Sequence, residues 1–231
     1  MVTGTSAFSS ELREENSDNA MKLKIPEGKF GAYLFDCDGT IVDSMPLHYL
    51  AWKKALGEWN CEFSEKLFYK WGGMPVAEVI STLNRERGLA MPVEAVEHCK
   101  ENLYYELLPQ LQAIPEVLEH IEARHGRIPF AVVSGSTRES VIKSLAIVKL
   151  LDRFETLVCA GEYKKSKPDP EGFLLAATNL GVAPELCLVF EDTDMGIQAA
   201  KAAGMASVKV CRHPRNGTAD GASNRTHLWK V

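Results

Sequence analysis

Five short apolar runs, none with a clean alternation of apolar and polar residues, are spread along the chain. They span residues 31–35, 128–133, 156–160, 186–190 and 206–211. Continuous apolar runs of this length are typical of strands in a parallel sheet that helices cover on both faces. The pattern therefore predicts five buried parallel strands.

Helical patterns separate the last four of these runs. They lie at residues 139–151, 170–180 and 195–203, and Gly181 and Gly204 end the second and third of them. Strands that alternate with helices are typical of an α/β fold. We therefore predict a doubly wound parallel sheet of the Rossmann type.

The interval between the first two runs breaks this alternation. About 65 residues without a convincing strand are too many for a simple crossover connection, and they contain helical patterns at residues 46–59, 64–71, 76–87 and 92–108. We predict that residues 44–112 form a helical cap inserted into a core made of residues 21–43 and 113–231. The polar residues 1–20 are expected to be disordered.

Polar side chains cluster directly after the predicted strands. Ligands of open α/β sheets bind beyond the carboxyl ends of the strands, so these residues are expected to meet at one edge. They are Asp36, Asp38 and Thr40 after the first strand, Ser134, Gly135 and Ser136 after the second, Lys167 after the third, and Glu191 and Asp192 after the fourth.

The charges of this group indicate a metal site. Asp36, Asp38, Glu191 and Asp192 would repel one another and any anionic substrate unless a hard divalent cation lay among them, and Mg²⁺ is the expected ion. One of the two aspartates after the first strand would then act as nucleophile or ligand, and the other as acid/base.

The remaining polar groups at this edge suit an anion. Lys167 adds a positive charge, and the hydroxyls of Thr40 and Ser134 with the backbone N–H groups of Gly135 and Ser136 could hold an oxyanion at a helix start. Together with a metal ion and a carboxylate nucleophile, these groups favour phosphoryl transfer.

Four motifs, in this order, resemble those of the haloacid dehalogenase superfamily. They are Asp36-Cys-Asp-Gly-Thr, the strand-end Ser134, Lys167-Pro-Asp-Pro, and Glu191-Asp-Thr-Asp-Met-Gly. The segment that begins at Leu47 is similar to the start of the cap in the β-phosphoglucomutase and fructose-1-phosphate phosphatase branch. The resemblance covers roughly residues 28–211.

The resemblance implies a role for each motif residue. Asp36 would attack phosphorus, and Asp38 would protonate the leaving oxygen and then activate water. The backbone carbonyl of Asp38, the Asp36 side chain, Asp192 and Glu191 would ligate Mg²⁺. Lys167 would bind both the nucleophile and the phosphate.

Three further residues have two interpretations each. His48 is either ordinary helix surface or a hinge residue that meets the site when the cap closes. Lys100 could reach the substrate, but a solvated helix face is the favoured interpretation. Arg138 could touch phosphate or face water.

One departure from the mutase pattern bears on the reaction. Mutases of the resembling branch carry a cap arginine just after a Gly-containing turn, whereas the comparable residues 72–76 here read Gly-Gly-Met-Pro-Val. We therefore expect a Mg²⁺-dependent phosphatase that acts on a small phosphorylated metabolite, a sugar phosphate. The alternatives are a β-phosphoglucomutase-type mutase and a non-catalytic binding protein on the same scaffold.

Composition indicates which partners and which cellular compartment to expect. The chain has 231 residues, a net charge of −5 and a pI near 5.7, which do not favour nucleic acid or an anionic membrane as partner. The six scattered cysteines are expected to be reduced thiols of a cytoplasmic protein. We also expect a monomer.

Overall fold

The computed structural model describes residues 23–211, so the predicted disordered segment at residues 1–20 lies outside the described residues. Five parallel strands form one sheet in the order β3-β2-β1-β4-β5. The strands are β1 (Ala32–Phe35), β2 (Phe130–Val133), β3 (Thr156–Val158), β4 (Cys187–Glu191) and β5 (Ala206–Lys209). All five predicted strands are confirmed, with ends that differ by up to two residues.

Both faces of the central strand are buried, which explains why its sequence does not alternate. Tyr33 and Phe35 pack into the apolar cluster on one side of the sheet, and Ala32 and Leu34 pack into the cluster on the other side. Since neither face meets water, apolar residues occupy successive positions of the strand.

The structure has eight α-helices among residues 23–211. They are α1 (Met45–Gly57), α2 (Glu65–Lys70), α3 (Val76–Arg87), α4 (Val93–Leu107), α5 (Pro115–Arg124), α6 (Arg138–Ile147), α7 (Glu171–Leu180) and α8 (Asp194–Ala202). Helix α5 was not predicted from the sequence, although it begins at Pro115 and its buried Val117 and Ile121 lie one turn apart. None of these helices combines the length and apolar character needed to cross a membrane.

Helices α1–α4 follow β1 and share an apolar cluster of their own. Trp52, Phe63, Phe68, Ile80 and Leu83 are among its buried members. The helices therefore form the predicted insert between the first two strands, and the division of the chain into cap and core domains remains a prediction.

The chain order across the sheet fixes where a ligand can bind. From β1 the chain runs to β2 and β3 on one side, and it returns to β4 and β5 on the other side. The connection after β1 leads to β2 and the connection after β4 leads to β5, in opposite directions, which opens a crevice at the carboxyl ends of β1 and β4.

All six cysteines are free thiols, as predicted.

Candidate active site

A tight turn after β1 presents the two aspartates of the first motif. The backbone N–H of Asp36 donates to the carbonyl of Phe190 (3.0 Å), which extends the β1–β4 pairing by one residue. The carbonyl of Cys37 accepts from the N–H groups of residues 40–42, and Gly39 has a φ of +93°. The left-handed backbone at Gly39 lets the chain turn sharply, so Asp36 and Asp38 are held at the sheet edge.

Lys167 links the first and fourth motifs. Its Nζ donates to Asp36 Oδ1 (2.7 Å), to Glu191 Oε1 (2.9 Å) and to the carbonyl of Val133 (3.1 Å). The three protons of a lysine ammonium are thereby all used. Because the group is buried and fully hydrogen-bonded, its position is fixed.

Asp36, Glu191 and Asp192 form a buried acidic cluster. One carboxylate oxygen from each lies within 4.8 Å of the others. Thr40 Oγ1 donates to Asp192 Oδ1 over 3.4 Å. With Lys167, the cluster contains three acidic groups and one cation, so the residues present fit a divalent cation bound through oxygen ligands.

Gly196 and Gly39 make room for two of these carboxylates. A Cβ atom at Gly196 would lie 1.9 Å from Glu191 Oε1, and one at Gly39 would lie 2.5 Å from Asp192 Oδ2. Glu191 Oε2 also accepts from the Thr193 hydroxyl (2.9 Å). The cluster is therefore held by close packing as well as by hydrogen bonds.

The environment shifts the pKa values of the Asp36–Lys167 pair. Burial raises the pKa of Asp36, Lys167 opposes this, and Glu191 adds to it, with a raised pKa as the result. Burial lowers the pKa of Lys167, but the carboxylates of Asp36 and Glu191 outweigh burial and raise it. Lys167 is therefore held in its charged form, whereas burial and Glu191 disfavour the ionised form of Asp36.

Asp38 lies in a different environment, surrounded by hydrogen-bond donors. Its Oδ1 accepts from Ser44 Oγ (2.7 Å) and lies 3.0 Å from His48 Nε2, and its Oδ2 accepts from Ser136 Oγ (2.7 Å) and Ser134 Oγ (3.4 Å). Burial alone would raise the pKa of Asp38, but these partners hold it well below its usual value. The surroundings therefore shift the pKa values of Asp36 and Asp38 in opposite directions.

His48 is buried beside the site. Its ring stacks on Tyr104 with 3.8 Å between the centroids, and burial followed by the charge of Lys100 lowers its pKa. The contact with Asp38 favours the hinge interpretation over ordinary helix surface. Ser44, the sixth residue after Asp38, was not predicted as a site residue. Its hydroxyl donates to the carboxylate oxygen of Asp38 that also contacts His48.

Two expectations need correction. Lys100, expected on a solvated face, is only 1% exposed and lines the pocket, because α4 turns this face toward α1 and the site. The N–H of Ser136, expected to hold an oxyanion, donates to Ser134 Oγ (3.0 Å).

For Arg138 the structure favours the water-facing interpretation. The residue is exposed, and its side chain pairs with Glu162 and the carbonyl of Leu157.

A pocket lies between the insert and the sheet edge. It encloses about 540 Å³, its open mouth included, and contains Asp36, Asp38 and residues 134–136 on the core side. The side that the insert forms (the cap side) is mostly apolar and includes Trp52, Phe63, Phe68, Trp71 and the turn at residues 72–74. A Cβ atom at Gly135 would lie 2.4 Å from the carbonyl oxygen of Gly73, so the insert touches the loop after β2 at this point.

The comparisons with known proteins agree with this geometry. The family model for haloacid dehalogenase-like hydrolases matches residues 33–210, and the chain belongs to this family. Fructose-1-phosphate phosphatase YqaB from Escherichia coli (strain K12) is 36% identical over 185 residues, which cover 79% of this chain and 97% of that protein.

Mutases are among the similar proteins too. Beta-phosphoglucomutase from Bacillus subtilis (strain 168) is 30% identical over 78% of this chain and 82% of that protein. The crystal structure of beta-phosphoglucomutase from Clostridium difficile superposes with a TM-score of 0.71 at 26% identity, covering 77% of this chain and 83% of that one. The protein is accordingly an enzyme of the phosphoric monoester hydrolase type.

Proposed function

We propose that this protein is a Mg²⁺-dependent phosphatase that hydrolyses a small sugar phosphate through an aspartyl-phosphate on Asp36. The observation that carries the proposal is the arrangement of two unlike aspartates at one sheet edge. Asp36 contacts Lys167 at 2.7 Å within the acidic cluster, and Asp38 is held by hydroxyls and His48. The names of the relatives support a phosphorylated carbohydrate as substrate.

The nucleophile in this proposal is a carboxylate oxygen of Asp36. It forms a bond to phosphorus while the bond from phosphorus to the sugar oxygen breaks. Lys167 orients Asp36 and offsets negative charge on the phosphoryl group, since its ammonium reaches both sides of the acidic cluster. Ser134, Gly135 and Ser136 line the pocket beside Asp36 and would hold the phosphate end, while the hydroxyl of Thr40 donates to Asp192.

Asp38 supplies the proton transfers. In the first step Asp38 in its protonated form, which its hydrogen-bond donors make the minor form, gives its proton to the leaving sugar oxygen. In the second step the resulting carboxylate takes a proton from the water that attacks the aspartyl-phosphate. The hydrogen bonds from Ser44, His48 and Ser136 fix its direction. His48 belongs to the cap helix α1, so its 3.0 Å contact with Asp38 depends on the insert lying over the site.

Asp36, Glu191, Asp192 and the backbone carbonyl of Asp38 would hold the Mg²⁺ ion. When bound, the ion supplies positive charge that keeps Asp36 ionised and offsets the charge of the phosphoryl group. The fit of the buried acidic cluster to an oxygen-binding divalent ion supports this assignment.

The cap side of the pocket favours hydrolysis over mutase chemistry. A mutase must hold a sugar that carries two phosphates, which calls for strong cationic groups at both ends of the pocket. Among the described residues that line the pocket, none is an arginine, and the turn at residues 72–74 contributes Gly-Gly-Met. The mutase remains the second candidate because mutases are among the relatives.

Phosphate release from about fifty phosphorylated metabolites, with and without Mg²⁺, tests the proposal. We expect Mg²⁺-dependent release from one or a few sugar monophosphates, loss of activity with EDTA, and no turnover by Asp36→Asn. Full activity of Asp36→Asn would contradict the mechanism. Glucose 6-phosphate formed from β-glucose 1-phosphate and a bisphosphate primer faster than free phosphate would establish the mutase instead.

A further inference from the structure

A buried ion pair lies beside the pocket, within helix α4. Lys100 Nζ and Glu101 Oε1 are 2.8 Å apart, and the two residues are 1% and 5% exposed. Successive residues of a helix point about 100° apart and ordinarily do not face each other. The pair forms only because the long side chain of Lys100 bends toward its neighbour.

The Lys100–Glu101 pair is not favourable for the stability of the fold. Glu101 Oε2 is buried and has no hydrogen-bond partner among residues 23–211. Burying a carboxylate with one oxygen unsatisfied is unfavourable, and apolar residues of similar size would stabilise the insert at least as well. A role in the pocket gives a reason for keeping both charges.

Lys100 supplies the positive charge of the cap side. Its Nζ lies 5.8 Å from the ring centre of Trp52 and 5.5 Å from that of Tyr104. Among the described residues that line the pocket, Lys100 is the one lysine or arginine. Its partner Glu101 therefore decides whether the cap side of the pocket carries a net charge.

We propose that Glu101 determines specificity by neutralising Lys100, so that the enzyme selects phosphomonoesters without a second phosphate. This inference rests on the proposed phosphatase function. A second phosphate beside Lys100 would lose its hydration and gain no net cation in return. A sugar hydroxyl is uncharged, so it can accept a hydrogen bond from a remaining Lys100 proton at little desolvation cost.

The test compares two substrates, fructose 1-phosphate and fructose 1,6-bisphosphate, or the corresponding pair for the monophosphate found in the screen. In Glu101→Gln we expect the bisphosphate to monophosphate ratio of kcat/KM to rise at least about tenfold, because a full positive charge is uncovered beside the ligand. Glu106→Gln is the matched control, since it makes the same change on an exposed position of α4 and should keep the wild-type ratio.

A double variant isolates the charge of Lys100. Lys100→Met combined with Glu101→Gln should return the ratio toward the wild-type value, because no cation remains to be uncovered. An unchanged ratio in Glu101→Gln, or an equal rise in the double variant, would overturn the proposal.

Wild-type protein provides a test that does not depend on the folding of any Glu101 variant. We expect it to prefer the monophosphate, and a lower KM for the bisphosphate would contradict the inference. If no phosphate ester is hydrolysed, calorimetric binding of both ligands to Mg²⁺-loaded wild-type protein gives the same comparison. A binding preference for the monophosphate would then support the role of Glu101 while the phosphatase proposal failed.

Discussion

The ammonium of Lys167 lies 2.7 Å from a carboxylate oxygen of Asp36, although 131 positions separate the two residues in the chain. The same ammonium binds Glu191 at 2.9 Å, so one buried cation joins the carboxyl ends of two neighbouring strands. This relationship makes Lys167 the centre of the electrostatic balance in the site.

Replacing Lys167 with methionine should harm both catalysis and stability. We expect kcat to fall by roughly 10²–10³-fold and the free energy of unfolding without Mg²⁺ to fall by about 3–5 kcal/mol, because buried carboxylates lose their cation. Enzyme assays and urea denaturation measure the two effects. Lys165→Met, an exposed position in the same loop, is the control and should change neither by much; equal effects of the two variants would argue against the central position of Lys167.

Gly39 offers a test of the metal site in which none of the proposed ligand residues is substituted. A methyl group there would lie 2.5 Å from Asp192 Oδ2, so Gly39→Ala should displace this carboxylate and weaken Mg²⁺ binding, measured by calorimetry. Gly88→Ala is a matched control because Gly88 also has a positive φ and its methyl group would meet nothing within 4 Å. Both variants carry backbone strain; an equal Mg²⁺ affinity in the two would show that the Gly39–Asp192 contact has no part in metal binding.

A substitution at Gly135 tests whether activity requires the insert to lie against the loop after β2. The methyl group of Gly135→Ala would lie 2.4 Å from the carbonyl oxygen of Gly73, so the closed arrangement must open. We expect the fold to survive and kcat/KM for the sugar phosphate to fall up to about 10²-fold, since small displacements of reacting groups are costly. Gly57→Ala, with open space around the added methyl group, should leave kcat/KM unchanged.

Part of the pH dependence of the free energy of unfolding should come from His48. Burial and Lys100 lower the pKa of this imidazole below 6.5, so in mildly acidic solution the unfolded chain binds a proton at His48 that the folded chain does not. Stability therefore falls as the pH drops below about 6.5, with part of the slope due to this residue.

Urea denaturation of wild type and His48→Gln at about pH 8 and about pH 5.5 measures the contribution of His48 to the pH dependence of stability. The stability advantage of wild type over the variant should be smaller at the acidic pH, because only wild type loses the His48 contribution. An advantage that grows on acidification would instead mean that His48 becomes protonated and pairs with Asp38.

Much of the fold could be predicted because its signals are local. The continuous apolar runs of the buried strands and the cluster of motif residues at strand ends both follow from a sheet covered on two faces. The bond between Lys167 and Asp36 and the acidic cluster of Asp36, Glu191 and Asp192 agree with the sequence-based grouping.

What the sequence did not show depends on contacts between distant elements. The burial of Lys100 results from how α4 packs on α1, and a lysine on an amphipathic helix ordinarily faces water. The pairing of Arg138 with Glu162 likewise joins the first residue of α6 to the loop after β3. Local patterns carry no information on such pairings, so both residues were placed only once the packing was known.

The most direct measurement is chemical trapping of the covalent intermediate. Wild-type enzyme is mixed with Mg²⁺ and its best phosphate ester, quenched in the steady state, reduced with borohydride and digested for mass spectrometry. Reduction converts an aspartyl-phosphate to homoserine, and we expect this conversion at residue 36 alone, dependent on substrate. Substrate turnover with unmodified Asp36, or with the modification at Asp38, would contradict the assignment of Asp36 as the nucleophile.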